Sequence, residues 1–289
     1  MFEAIAQAKP KKLLIVADGP RFPEEAEKCE KARAVIEKVN WDCQIFMNFS
    51  KTNLGCKKRI ISGLEWIFSE FEEAIILEDD CLPSKSFFLY CQTLLDYYKN
   101  EPRITSISGC NLGFYDPTEK SSYRYSKFMN MWGWATWRRT FNLVDFEMKF
   151  WNVFRNSEEF DQALDKDKRW IDYWKYRFDK TLSGKVDTWD YQWILSNLYY
   201  KGLVVSPTVN LIKNLGYRSD ATHTIHKNGY LENLQINNIT LPLVHPPKFD
   251  ISKKYENYIK YAWCGIYSSL PLKYKIRNKV KRVVGSVIK

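Results

Sequence analysis

No stretch of this chain offers the roughly 18–20 consecutive apolar residues that a membrane span requires, and no internal repeat, low-complexity tract or Pro/Gly/Ser linker interrupts it. Those absences predict a soluble globular chain folded continuously, with soft boundaries at most. Met1 to Pro10 lacks an apolar core of signal-peptide length, so the expected location is the cytoplasm. The seven cysteines, Cys29, Cys43, Cys56, Cys81, Cys91, Cys110 and Cys264, are odd in number and never spaced as Cys-x-x-Cys. That spacing argues against a disulfide framework and a zinc site, and predicts reduced thiols lying mostly in the core. Neither a Gly-x-x-x-x-Gly-Lys-Ser/Thr nor a Gly-x-Gly-x-x-Gly run occurs, which removes support for a P-loop nucleotidase or a dinucleotide enzyme. Any grip on phosphate must come from elsewhere in the chain.

What is present is a 289-residue chain with a net charge of +10, 45% hydrophobic and 16% aromatic. It can bury a sizeable core, and its charge suits a nucleic acid, an anionic membrane surface or phosphate-bearing substrates, among which charge alone does not choose. Part of the excess is local. From Leu270 to Lys289 the tail carries Lys273, Lys275, Arg277, Lys279, Lys281, Arg282 and Lys289 without an acid, a pattern that predicts peripheral attachment at the inner face of the plasma membrane, with an amphipathic helix packed on the main domain as the alternative.

Hydrophobic periodicity alternates between strand and helix. Apolar runs at 12–16, 41–47, 74–77, 104–107 and 203–205 read as strands, and helical spacing falls at 24–39, 55–71, 86–98 and 190–200. The aromatic-rich stretch 129–151 fits neither pattern. Alternation of this kind predicts an α/β fold with a mainly parallel central sheet flanked by helices, and ligands of such sheets gather at the carboxyl ends of the strands.

Glu78, Asp79 and Asp80 follow the run Ala74-Ile75-Ile76-Leu77 directly, which puts three carboxylates at that ligand edge. A bound hard cation would offset the charge, since Mg²⁺ and Mn²⁺ take carboxylate and phosphate oxygens. A solvated acidic loop or a helix cap is the alternative. Asp18 ends the first strand in the same way, with a turn-forming Asp-Gly as its alternative, and Asp190 sits among aromatic residues where a helix N-cap is equally natural. His223 and His226 lie three apart with no third ligand in sight, so surface positions are their default. The aromatic excess suits sugar stacking, although most aromatic side chains belong to cores.

Several segments, taken in order, resemble the bacterial glycosyltransferases of the GT-A type (family 2-like) related to the animal enzyme that adds N-acetylglucosamine to Asn-linked glycan cores. They are Ala17-Asp18-Gly19-Pro20, Asn53-Leu54-Gly55-Cys56-Lys57-Lys58, Ile75-Ile76-Leu77-Glu78-Asp79-Asp80, Trp132-Gly133-Trp134-Ala135-Thr136-Trp137, Trp189-Asp190-Tyr191-Gln192-Trp193 and Gly216-Tyr217-Arg218-Ser219-Asp220-Ala221-Thr222-His223. The likeness covers roughly residues 2–225, leaving 226–289 as a C-terminal appendage with the basic tail. One departure stands out: members of the family begin with a strand and an Asn/Asp-Arg turn, whereas Met1-Phe2-Glu3-Ala4-Ile5 resembles the helix after that strand, so the first strand is expected to be missing from this sequence.

The resemblance implies a GT-A, nucleotide-diphospho-sugar transferase fold and an inverting, metal-dependent transfer from a nucleoside-diphosphate sugar, expected to be a UDP-sugar, to a hydroxyl of a glycan or lipid-linked acceptor. It assigns Asp80 to the Mn²⁺ or Mg²⁺ ion, with His223 placed beside it, Glu78 and Asp79 to the same diphosphate-gripping centre, Asp18 to the nucleotide base, Asn53 and Lys58 to the donor, and Asp190 to the catalytic base. Nucleic acid is not an expected partner. The rival readings are a sugar nucleotidyltransferase, which would normally carry a glycine-rich N-terminal loop absent here, and a truncated, non-catalytic relative that binds carbohydrate or membrane.

Overall fold

The computed structural model describes residues 1–216 and 234–263; His223, His226 and the basic tail lie outside them. In chain order the elements are α1 (Phe2–Ala8), β1 (Lys12–Ala17), α2 (Ala26–Arg33), β2 (Gln44–Phe49), α3 (Cys56–Glu70), β3 (Glu73–Ile76), β4 (Cys81–Pro83), α4 (Phe87–Tyr98), β5 (Ile104–Ser108), β6 (Tyr123–Ser126), β7 (Trp134–Trp137), α5 (Arg138–Phe141), α6 (Trp151–Phe154), α7 (Glu158–Ala163), α8 (Lys168–Leu182), α9 (Asp190–Tyr199), β8 (Leu203–Pro207), β9 (Ile212–Asn214) and α10 (Lys253–Trp263). The α/β class is as expected, and each strand read from the sequence forms. The periodic stretch 24–39 is less regular than a single helix: 3₁₀ turns at Pro23–Glu25 and Ala34–Lys38 flank α2, and none of the three segments has a buried residue.

The expectation of a mainly parallel sheet is corrected. The central sheet has the order β3-β7-β5-β8-β6, with β5 and β8 parallel and the other three pairings antiparallel. β3, β5 and β8 still run in one direction, as helical crossovers require. The difference lies in β7, which inserts between β3 and β5, and in β6 at the far edge. A strand covered on both faces reads as a continuous apolar run whichever way it points, so hydrophobic pattern carries no information about its direction. All residues of β5, β6, β7 and β8 are buried.

β1 and β2 form a separate parallel pair, and among the described residues no strand joins them to β3. Neither strand of this pair has a buried residue. An isolated two-stranded unit is marginal in water, and this one is held by α3, whose Gly63 packs so closely on Val16 that a Cβ there would fall 2.7 Å from Val16 Cγ1. The base of β1 meets the approach to β3 where Lys12 Nζ lies 5.0 Å from the Phe71 ring centroid.

Elsewhere the core is aromatic. Trp134, Trp151, Trp170, Trp174, Trp193, Tyr90, Tyr123 and Tyr125 are among its largest fully buried side chains. Burial of such a ring contributes about 1.5–3 kcal/mol, and a favourable ring pair adds about 0.5–1.5 kcal/mol. Residues 234–263 belong to the same core. Leu234, Ile239 and Leu243 are buried, Val244 exchanges hydrogen bonds with Ser122, Ile251 bridges to Tyr125, and the Tyr255 hydroxyl accepts from Ser206 Oγ at 2.8 Å. No helix among the described residues is long and apolar enough to cross a membrane.

Candidate active site

Two short devices build the ligand edge of the sheet. β3 runs out at Ile76, opposite Trp134 of β7, so Glu78, Asp79 and Asp80 emerge beside the Trp132-Gly133-Trp134 entry to β7. Gly133 is required there. Its φ is +61°, and a side chain would meet Ile212 Cδ1 at 2.4 Å. Ile212 opens β9, which pairs antiparallel with β4 so that Cys81 faces Asn214. This ribbon brings Gly216 onto Asp80: Leu215 N donates to Asp80 O at 2.7 Å, and a Cβ on Gly216 would lie 2.3 Å from Asp80 Oδ2. The glycine leaves room for the carboxylate.

The second device is Asp18. Its carboxylate accepts hydrogen bonds from the main-chain N–H groups of Gly19 (2.9 Å), Leu54 (2.9 and 3.1 Å) and Gly55 (3.1 Å), while Asn53 Nδ2 donates to Gly19 O at 3.1 Å. β1 is thereby tied to the loop that opens α3. The first turn of this helix carries exposed Lys58 and buried Arg59, and Arg59 donates to Asn48 rather than facing the cleft.

Asp190 opens α9. Its Oδ1 accepts from Tyr191 N at 2.9 Å and from the Thr188 hydroxyl, and Gln192 Nε2 donates to Thr188 O at 2.9 Å, fixing the turn. Underneath, Trp189 stacks on Trp134 with centroids 5.6 Å apart, and Trp193 meets the same ring edge-on at 4.8 Å. The Trp-Asp segment is thus clamped to the strand that borders the acidic run.

The electrostatics show these groups to be neighbours. Burial pushes Glu78 up to about 7, and Asp80, Asp190 and Asp79 push it further in the same direction. Burial likewise lifts the Cys56 thiol to about 11, aided by Glu78, Asp187, Asp190 and Asp79. Asp80 is raised by burial, against which hydrogen bonds from Cys81 and Asn214 act. Asp187 completes the group: a Cβ on Gly55 would lie 3.5 Å from its Oδ2.

Asp18, Asn53, Glu78, Asp79, Asp80 and Asp190 therefore gather at one edge, with Lys58 exposed in the adjoining helical turn and His223 outside the described residues. Cys56, Asp187, Asn214 and Gly216 join them without having been singled out as site residues. Asp187 had a signal in sequence, standing three residues before Asp190. The others depend on pairing between distant segments.

An oxygen-only set of carboxylates in which Glu78 and Asp80 are held above their ordinary range by burial and by neighbouring acids fits a hard divalent cation. Among the described residues no three His, Cys, Asp or Glu side chains converge to hold an ion by themselves, so one or two carboxylates with substrate phosphate and water as further ligands is the arrangement that suits this edge.

The crowding has a measurable consequence for the metal-free protein. Because the folded state raises Glu78 above its ordinary value of 4.5 to about 7, it retains a proton in that interval which the unfolded chain has released. Stability from this group is therefore present below about 4.5 and lost as pH rises towards about 7. Glu78→Gln removes the ionisation. Without divalent ions, the stability of variant and wild type should change together below about pH 4.5. By about pH 8 the variant should have gained about 1–3 kcal/mol relative to wild type. Denaturant titrations across this range check it, and a difference independent of pH would show that Glu78 ionises as it does in water.

Comparison with protein-family models and with curated proteins found no match to the chain.

Proposed function

We propose that this protein is an inverting, divalent-metal-dependent glycosyltransferase of the GT-A type, moving a sugar from a nucleoside-diphosphate donor, with UDP the expected nucleotide, to a hydroxyl of a glycan or lipid-linked acceptor. The observation that carries the reading is the meeting of Glu78, Asp79 and Asp80, from the end of β3, with Asp190, from the start of α9, beside the loop organised by Asp18.

Each part has a chemical role in such a transfer. A bound cation would sit at Asp80, with Glu78 and Asp79 beside it, and offset the negative charge of the departing diphosphate. The N-terminus of α3, set by Asp18, offers main-chain N–H groups and Lys58 to the same phosphates. Asp190 is fixed by the Thr188 hydroxyl and the Tyr191 N–H. It takes the proton of the acceptor hydroxyl as that oxygen bonds to the anomeric carbon, while the bond from that carbon to phosphate oxygen breaks on the opposite face. Displacement from one face inverts the anomeric centre. The basic tail, from sequence alone, adds attachment to an anionic membrane surface, where a lipid-linked acceptor would be met.

The test is a panel of nucleotide sugars incubated with and without Mn²⁺, following release of nucleoside diphosphate. Mn²⁺-dependent release from one donor is the expected result. Release that ignores Mn²⁺ and EDTA, or no release and no Mn²⁺-dependent binding of any donor, would refute the reading.

A further inference from the structure

α8 carries a cation whose situation the donor side does not explain. Arg177 is half-buried, with its guanidinium carbon 5.1 Å from the Tyr173 ring centroid, and its Nε is cut off from water without a hydrogen-bond acceptor. Two acids of the same helix serve other cations: Asp179 pairs with Arg155 at 3.0 Å, and Asp167, the N-cap, pairs with Lys260. Among the described residues Arg177 has no ion pair: burial acts on it first, and the groups that favour its charge are phenols, Tyr173, which also hydrogen-bonds to it, and Tyr191. A partly desolvated guanidinium without an anion forgoes its strongest interaction, a forked pair of hydrogen bonds to carboxylate or phosphate.

Its position links it to the proposed chemistry. Tyr191 follows Asp190 at the start of α9, packs edge-on against Trp174 of α8 with centroids 6.1 Å apart, and has its ionisation disfavoured by burial first and by Asp190 next, while Arg177 favours it. Tyr191 thus stands within electrostatic reach of both the proposed base and Arg177. The charges acting on Glu78 are those of Asp80, Asp190 and Asp79, so Asp190 acts on both the acidic, metal-suited group and on Tyr191.

We infer that Arg177, with Tyr173 and Tyr191, forms an acceptor-side subsite for an oxyanion, a carboxylate or phosphate group borne by the sugar whose hydroxyl Asp190 deprotonates. The inference rests on the transferase reading for Asp190's role, while the anion preference itself is measurable without turnover. The tyrosine rings supply flat apolar surface and hydroxyls to the sugar, and the guanidinium selects its charge. The acceptor class that fits is an acidic or phosphorylated sugar rather than a neutral hexose.

The experiment measures binding of matched probes to the full chain by ligand-observed NMR: methyl glucuronide against methyl glucoside, and glucose 6-phosphate against glucose. Wild type should prefer the charged member of at least one pair by about tenfold, the scale of one charged hydrogen bond; the pair that responds tells carboxylate from phosphate. Arg177→Gln should abolish the preference, and Arg177→Lys should keep part of it, with unchanged thermal melting and unchanged Mn²⁺-dependent UDP binding. Equal affinity within both pairs, no binding of any charged probe, or a preference that survives in Arg177→Gln overturns the subsite. Failure of the donor chemistry would show instead as loss of Mn²⁺-dependent UDP binding in wild type.

Discussion

Asp80→Ala is expected to lower Mn²⁺-dependent sugar transfer by two to four orders of magnitude, the equivalent of roughly 3–5 kcal/mol of stabilisation withdrawn from the departing diphosphate. Metal-dependent donor binding should fall with it. The fold should survive, because the hydrogen bond that anchors this residue to the β4–β9 ribbon runs from Leu215 N to the Asp80 main-chain oxygen, which alanine retains. Removing a partly buried carboxylate from beside Glu78 also relieves repulsion, so the metal-free variant should be no less stable than wild type at neutral pH. Asp79, which is exposed, should respond less to the same substitution, through water-mediated contact. Donor-release kinetics with Mn²⁺ titration, alongside calorimetric binding of UDP, check both effects. Near-normal Mn²⁺-dependent turnover in Asp80→Ala would remove the ion from this residue.

Asp190→Asn is expected to reduce turnover by about 10²–10⁴, with donor affinity little changed, since an amide has no basicity for the acceptor proton. The local geometry makes this substitution informative. Asp190 Oδ1 accepts from Tyr191 N and from the Thr188 hydroxyl, and an asparagine Oδ1 can accept both. The turn and the stacked Trp189 beneath it should therefore remain in place. Single-turnover rates and UDP affinity measured on the same preparations separate chemistry from binding. Collapse of donor binding with unchanged turnover per bound donor would make Asp190 a cap of α9 and nothing more.

Much of the candidate site was legible in sequence because its carboxylates stand immediately after apolar strands or at the start of a helix. Glu78, Asp79 and Asp80 follow β3, Asp18 follows β1 and Asp190 opens α9, and in an α/β alternation those positions share one edge. Asp18 shows how far such reading reaches. Its place at the edge was visible, whereas its hydrogen bonds to Leu54 and Gly55 required knowing that the loop before α3 folds back onto β1. Arg177 was not legible at all, since an arginine on an amphipathic helix is ordinary until it is found half-buried among tyrosines, with Asp179 of the same helix paired to Arg155.

The sequence by itself determined the α/β class, the strands that carry the acidic residues and the absence of any membrane-spanning run, because these follow from local hydrophobic periodicity and from residues adjacent in the chain. Tertiary structure decided the rest. It set β7 antiparallel between β3 and β5, left β1 and β2 as a separate pair, and folded residues 234–263 into the body. It also placed Gly216 against Asp80, and Tyr191 within electrostatic reach of both Asp190 and Arg177. Those outcomes depend on contacts between residues far apart in the chain, and the apolar pattern of a strand is the same whichever neighbour it pairs with and whichever way it runs.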